Sequence, residues 1–170
     1  MCGRFTRNYT WAQVHKFLSI IPTTPSNLQP RFNICPTTTI DAVRNHDGKR
    51  EFVQARWGLV PGWWSKPLKE LKLATFNARA ETVDTKPFFR SPFKSKRCII
   101  PASGYYEWQT IGKEKQPWLF KPAQGDLLSA AGLWDEWTDK KSGKTIRSCT
   151  MIITEPNAFV AHFPARLRNS

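Results

Sequence analysis

A cysteine stands at position 2, directly behind Met1. Once Met1 is removed, Cys2 presents an α-amine and a thiol on adjacent carbons, an aminothiol that no internal cysteine can offer. Downstream, FNARAET places Asn77, Arg79 and Glu81 at alternate positions, which share one face if the segment is extended. Arg79 suits a phosphate, Asn77 can both donate to and accept from a small polar substrate, and Glu81 would orient Arg79. An ordinary polar strand face has the same pattern. In GYYEW, Glu107 stands between Tyr106 and Trp108. A carboxylate among aromatic rings loses solvation, which suits it to general acid and base work; pairing with one of the many cations is the structural alternative. Thr154 and His162 follow the apolar run of residues 151–153. His162 could move protons near neutral pH or serve a structural role only.

The stretch PGWWSKP adds a second kind of chemistry. Neighbouring residues of an extended chain face opposite ways, so Trp63 and Trp64 cannot both enter a core, and at least one indole is expected at the surface. An exposed indole is a platform for unstacked bases, each contributing about 1 to 3 kcal/mol, which favours single-stranded nucleic acid. One Trp in the core with the other capping a loop is the alternative.

The elements that must hold these groups are mostly strands. Residues 10–21 predict one helix, with Trp11, Val14, Phe17, Leu18 and Ile21 on one face, a Thr10/Gln13 capping box and Pro22 as the stop. The Pro-rich segment 23–36 predicts an irregular loop. TTTIDAV and EFVQARWGLV flank His46-Asp47-Gly48 and predict a hairpin, with His46 at the turn. RCIIPASGYYEWQ and QPWLFK flank IGKEK as a second hairpin; LLSAAGLWDEW and TIRSCTMIIT flank Lys-Ser-Gly-Lys as a third. The long stretch from PGWWSKP through KPFFRSPFKSK mixes aromatic and basic residues without strand periodicity. The expected fold is α+β, a single domain over 1–170 built as a β-rich, closed or nearly closed barrel with short helices.

Composition narrows the partner. The 170 residues are 40% hydrophobic and 23% charged, which fits a folded domain and excludes a disordered chain. Lys plus Arg is 26 against 13 Asp plus Glu, a net charge of +13 spread along the chain. That describes a basic surface for a polyanion, and nucleic acid is the expected partner. No apolar run nears the roughly 18 residues of a membrane span, so a cytoplasmic protein with no membrane partner is expected. Cys2, Cys35, Cys98 and Cys149 are scattered with no C-x-x-C pair, so neither a disulfide framework nor a zinc ribbon is suggested; no cofactor is expected. Cys35, Cys98 and Cys149 read as core thiols.

Taken together, MCGRF, RFNICP, RWGLVPGWW, FNARAET, RCIIPASGYYEW and IIT followed by EPN resemble the SRAP family, the SOS response-associated peptidases that process abasic sites. The resemblance runs from residue 1 to about 162 with the motifs in family order. It implies a β-rich barrel-like fold with a positively charged groove for single-stranded DNA, and no metal. It implies that Cys2 forms a covalent link to the ring-opened aldehyde of an abasic site: the α-amine condenses to an imine and the thiolate closes a thiazolidine. By the same resemblance Asn77 positions the amine and the sugar, Glu107 handles protons, and His162 assists proton transfer and reversal. Arg79, Trp63 and Trp64 fall at DNA-contacting positions, Thr154 at the matching strand end, and Arg4 and Arg97 are further phosphate contacts.

The family pattern at the histidine is His-Asp-Arg-Met-Pro, whereas this chain reads His162-Phe163-Pro164-Ala165-Arg166 and ends at Ser170. A shortened or altered tail over 163–170 is therefore expected, with an unpaired sheet edge as its risk. The expected activity is abasic-site crosslinking in the DNA-damage response by a monomer, nucleoid-associated when bound to DNA. A thiol peptidase of the N-terminal-nucleophile type, able to process itself, is the alternative. A noncatalytic single-strand binder is the third reading.

Overall fold

A computed structural model describes residues 3–20 and 27–155. Cys2 and His162 lie outside the described residues, as do Ile21, Pro22 and the tail from residue 156. Ten strands and two short helices follow one another as β1 (Phe5–Arg7), α1 (Trp11–Leu18), β2 (Arg31–Ile34), β3 (Thr39–His46), β4 (Lys49–Trp57), β5 (Asn77–Arg79), α2 (Arg90–Ser95), β6 (Arg97–Ala102), β7 (Gly104–Ile111), β8 (Glu114–Phe120), β9 (Leu128–Thr138) and β10 (Thr145–Ile153).

The larger sheet runs β4-β3-β6-β9-β10-β5, and β10 also pairs with β4, so five strands close into a barrel. The closing pair is parallel, with Ser148 opposite Arg56 and Cys149 opposite Trp57. Beyond it β4 gives way, and β5 takes over the same edge of β10, with Met151 opposite Asn77 and Ile153 opposite Arg79. The chain between β4 and β5 therefore leaves and rejoins one edge of β10. Gly58 permits the departure: its φ is +139°, and a Cβ there would lie 2.6 Å from the Arg56 guanidinium. A second sheet, β2-β1-β7-β8, covers part of the barrel.

Alternation along β3 explains the layering. Ile40 and Ala42 enter the barrel core with Val53, Ala55, Trp57, Ile100 and Met151, while Val43 faces outward beneath Val14 and Leu18 of α1. The β3–β4 hairpin turns at Asp47 and Gly48, with φ of 50° and 74°, the pair of positive values that suits a two-residue hairpin. His46, expected in the turn, is the exposed last residue of β3 and pairs with Lys49 across it.

The structure corrects several expectations. The capping box at Thr10 and Gln13 is present, but α1 stops at Leu18, where Ser19 turns left-handed with φ 49°. Arg50 Nη1 donates to the freed Leu18 carbonyl at 2.7 Å. Phe17, expected on the buried face, is 48% exposed. The segment RCIIPASGYYEWQ is two strands in different sheets. The chain bends at Ser103, whose N–H donates to the Thr6 carbonyl at 2.9 Å and whose hydroxyl meets that of Thr6 at 2.8 Å. Cys98 and Cys149 are core thiols, but Cys35 is only half-buried, because β2 ends one residue before it.

Candidate functional site

Glu107 is buried at 5% exposure in the middle of β7. Its strand pairs on one side with β8, where Trp118 lies opposite, and on the other with β1, where Phe5 lies opposite Tyr105. The Tyr106 N–H donates to the Arg4 carbonyl at 2.9 Å and carries the register further toward the N-terminus. Gly3, two residues before Phe5, thus aligns with Glu107, two residues after Tyr105. Arg4 extends from the same place: Nη1 donates to Asn33 Oδ1 at 2.7 Å, and the guanidinium lies 5.9 Å from the Trp108 ring centre.

A ladder of rings joins this corner to β5. Phe5 meets Trp57 edge to face at 5.1 Å, and Trp57 meets Phe76 at 5.7 Å. The Trp57 indole donates to the Phe76 carbonyl at 2.8 Å, one residue before Asn77. Such edge-on pairs contribute about 0.5 to 1.5 kcal/mol beyond the area they bury. The ladder fixes the start of β1 and the start of β5 against the same core side chain.

Asn77 and Arg79 leave one face of β5, half-buried and exposed respectively, with Ala78 buried between them. The strand stops at Arg79, so Glu81, expected to orient that guanidinium, stands in the following turn. Arg79 Nη1 instead lies 3.7 Å from Glu155 at the end of β10. Thr154, between β10 and Glu155, is exposed and donates to the Glu155 carbonyl at 3.2 Å.

The aromatic turn comes next. Trp63 is 55% exposed, whereas Trp64 is half-buried. Both rings meet Phe88, at 5.3 and 6.0 Å. The next residue, Phe89, packs with Ala78 and Ile152, which connects the turn to β5 and β10. Arg97 opens β6 and is exposed. The sequence reading missed Phe88 and Glu155. The Phe-Phe doublet in KPFFR is the local signal that could have found the first of these: two adjacent half-buried rings, Phe88 against the Trp63–Trp64 turn and Phe89 against Ala78 and Ile152.

Six of the ten expected site residues are thus joined in pairs by contacts: Arg4 and Glu107 through β1 and β7, Asn77 and Arg79 through the ring ladder and β5, and Trp63 and Trp64 through Phe88. A cavity of about 160 Å³ lies elsewhere, on the Thr6 face of β1, lined among others by Phe32, Ser103 and Leu119; no candidate residue lines it. Burial pushes the Cys98 thiol up to about 12, and burial followed by the neighbouring Cys98 raises Cys149 as well. Neither supplies a thiolate near neutral pH. No cluster of His, Cys, Asp and Glu among the described residues could hold a metal ion.

A barrel closed by a parallel β4–β10 pair, with a second sheet that carries the buried Glu107, places the chain in a class that comparison identifies. Residues 1–167 match the family model of the SOS response associated peptidases, SRAP, and the chain belongs to that family. It is 37% identical to the abasic site processing protein YoaM of Bacillus subtilis (strain 168), over 98% of this chain and 73% of that protein. With the abasic site processing protein YedK of Escherichia coli (strain K12) it shares 31% identity, over 78% of this chain and 59% of that protein. A crystal structure of a protein from Bacteroides thetaiotaomicron superimposes with a TM-score of 0.86 at 26% identity, covering 95% of this chain and 72% of that one.

Proposed function

We propose that this protein processes abasic sites in single-stranded DNA, capturing the ring-opened sugar through Cys2 after Met1 is removed. The observation that carries the reading is the β1–β7 register: continued from Phe5–Tyr105 through the Tyr106 N–H bond to the Arg4 carbonyl, it sets Gly3, the residue after Cys2, opposite the buried residue Glu107. The relatives named as abasic site processing proteins supply the substrate class.

In this reading Glu107, shielded from water, exchanges protons with the sugar as the ring opens and the C1′ aldehyde appears. The Cys2 α-amine attacks that carbon, a carbon–nitrogen bond forms, and the carbonyl oxygen leaves as water. The thiolate then adds to the imine carbon, and the nitrogen takes up a proton, closing a five-membered thiazolidine. Asn77 steadies the amine and a sugar hydroxyl. Arg4, Arg79 and Arg97 hold phosphates, Trp63 and Trp64 receive bases, and Thr154 lines the strand end. His162 is assigned to proton transfer during closure and reversal.

Mixing the protein with a single-stranded oligonucleotide bearing one abasic site should give an adduct that survives denaturing electrophoresis and has the mass of both partners less one water. Cys2→Ala should abolish it. An undiminished adduct from that variant, or from a chain extended ahead of Cys2, rules the chemistry out.

The family's description as a peptidase favours a second reading, in which the same amine serves as base for its thiol and an amide is hydrolysed. Retention of Met1 in Glu107→Ala and Asn77→Ala proteins but not in the parent, read by intact mass, would favour it.

A further inference from the structure

Asp135 of β9 is 5% exposed, and its carboxylate gathers three separate donors. Oδ2 accepts the Gly62 N–H at 2.9 Å. Oδ1 accepts from Lys96 Nζ at 2.5 Å and from the Glu136 N–H at 2.9 Å. Gly62 is followed by Trp63, and Lys96 by Arg97. One buried carboxylate therefore ties the aromatic turn to the cationic start of β6. The turn lies flat on β9: a Cβ at Gly62 would come within 3.0 Å of the Glu136 carbonyl. Trp137 Nε1 fastens the far end by donating to the Trp64 carbonyl at 2.6 Å.

We infer that Asp135 is a positioning residue for nucleic acid: it holds the Trp63 platform and Arg97 at a fixed separation, so that base stacking and a phosphate contact form together. The inference rests on the proposed role of Trp63 and Arg97 as single-strand contacts. Its physical content is preorganisation. The Trp63 ring is half in solvent and meets only Trp64 and Phe88 among the rings described; the backbone bonds to Asp135 and Trp137 fix the turn that carries it. A turn left loose would have to be ordered at the moment of binding, and that entropy would be lost from the affinity. An apolar residue at position 135 would fill the space but leave the Gly62 N–H and the Lys96 ammonium without this acceptor.

The test measures binding of an unmodified single-stranded oligonucleotide at fixed salt. Asp135→Leu should weaken it about tenfold, the size of one charged hydrogen bond. Asp135→Asn keeps the volume and one acceptor, and should lose only about threefold. Modification of Cys2 by a small free aldehyde, which needs no nucleic-acid contact, should keep the parent rate in both. In a Trp63→Ala background either substitution should cost less than it does in the parent, because the platform it aims is gone. Parent-like binding by Asp135→Leu, an equal loss with and without Trp63, or a parallel fall in aldehyde modification would overturn the inference. Should the leucine variant not fold, the asparagine variant decides by the same comparison across the Trp63→Ala background. Failure of the parent protein itself to bind the oligonucleotide would instead overturn the single-strand reading, and the inference with it.

Discussion

Trp57 and Trp63 stand six positions apart on either side of Gly58, and their surroundings are opposite. Trp57 is fully buried at the closing seam of the barrel, while Trp63 is 55% exposed on a turn. The first has its indole nitrogen bonded and its ring faced by two phenylalanines; the second meets the rings of Phe88 and Trp64 and is otherwise largely open to solvent. The same side chain thus packs the core where it is surrounded, and in the proposed function it would receive a base where it is left open. The break between the two roles is the point where the chain leaves the edge of β10.

The largest effect should come from the buried partner. Trp57→Ala removes the middle of the Phe5–Trp57–Phe76 ladder and leaves a cavity at the seam. The expected loss is about 3 to 5 kcal/mol of folding stability, read from the denaturant midpoint. Because the ladder also sets the start of β1 and of β5, adduct formation with abasic DNA should fall even at temperatures where the variant stays folded. A variant that keeps parent stability would mean that the ring contacts do not hold the seam.

Trp63→Ala should behave in the reverse manner. An exposed ring contributes little to folding, so stability should change by no more than about 0.5 kcal/mol. Binding of single-stranded DNA should weaken by about 1 to 3 kcal/mol, the stacking of one base. If stability falls as it does for Trp57→Ala, the contrast between the two residues fails.

This contrast also shows what the sequence could and could not reveal. Hairpins were legible where turn chemistry is local, as at Asp47-Gly48, and so was the helix start, because a capping box needs only Thr10 and Gln13. That at least one ring of the Trp-Trp pair would be exposed was foreseeable, because two adjacent side chains cannot both enter one core; which of them was not, because the pair sits on a turn and not in a strand. The bend at Ser103 was not, because it depends on a hydroxyl of Thr6 that is distant in sequence. The pairing of Arg79 with Glu155 was hidden for the same reason: the parallel β5–β10 pair brings together segments that no local pattern connects. Glu81, two residues away, looked the better partner until the strand ended at Arg79. Asp135 was invisible as well, since a carboxylate in DEW reads as a surface charge until the Gly62 turn is laid over it.

The smallest effect tests whether stability and recognition separate as cleanly as the two tryptophans suggest. Thr10 caps α1, whose apolar face covers the outer side of β3, and its hydroxyl accepts the Gln13 N–H at 3.2 Å. Thr10→Ala leaves that donor to water and should cost about 1 kcal/mol of folding stability, read from the thermal midpoint. The strand pairings of Glu107, the ring contacts of Trp63 and the Arg79–Glu155 pair lie outside α1, so DNA affinity measured well below the midpoint should match the parent. A fall in affinity alongside the stability loss would show that the rim softens whenever the barrel does, and that the exposed turn draws its rigidity from the whole fold instead of from the few bonds at its base.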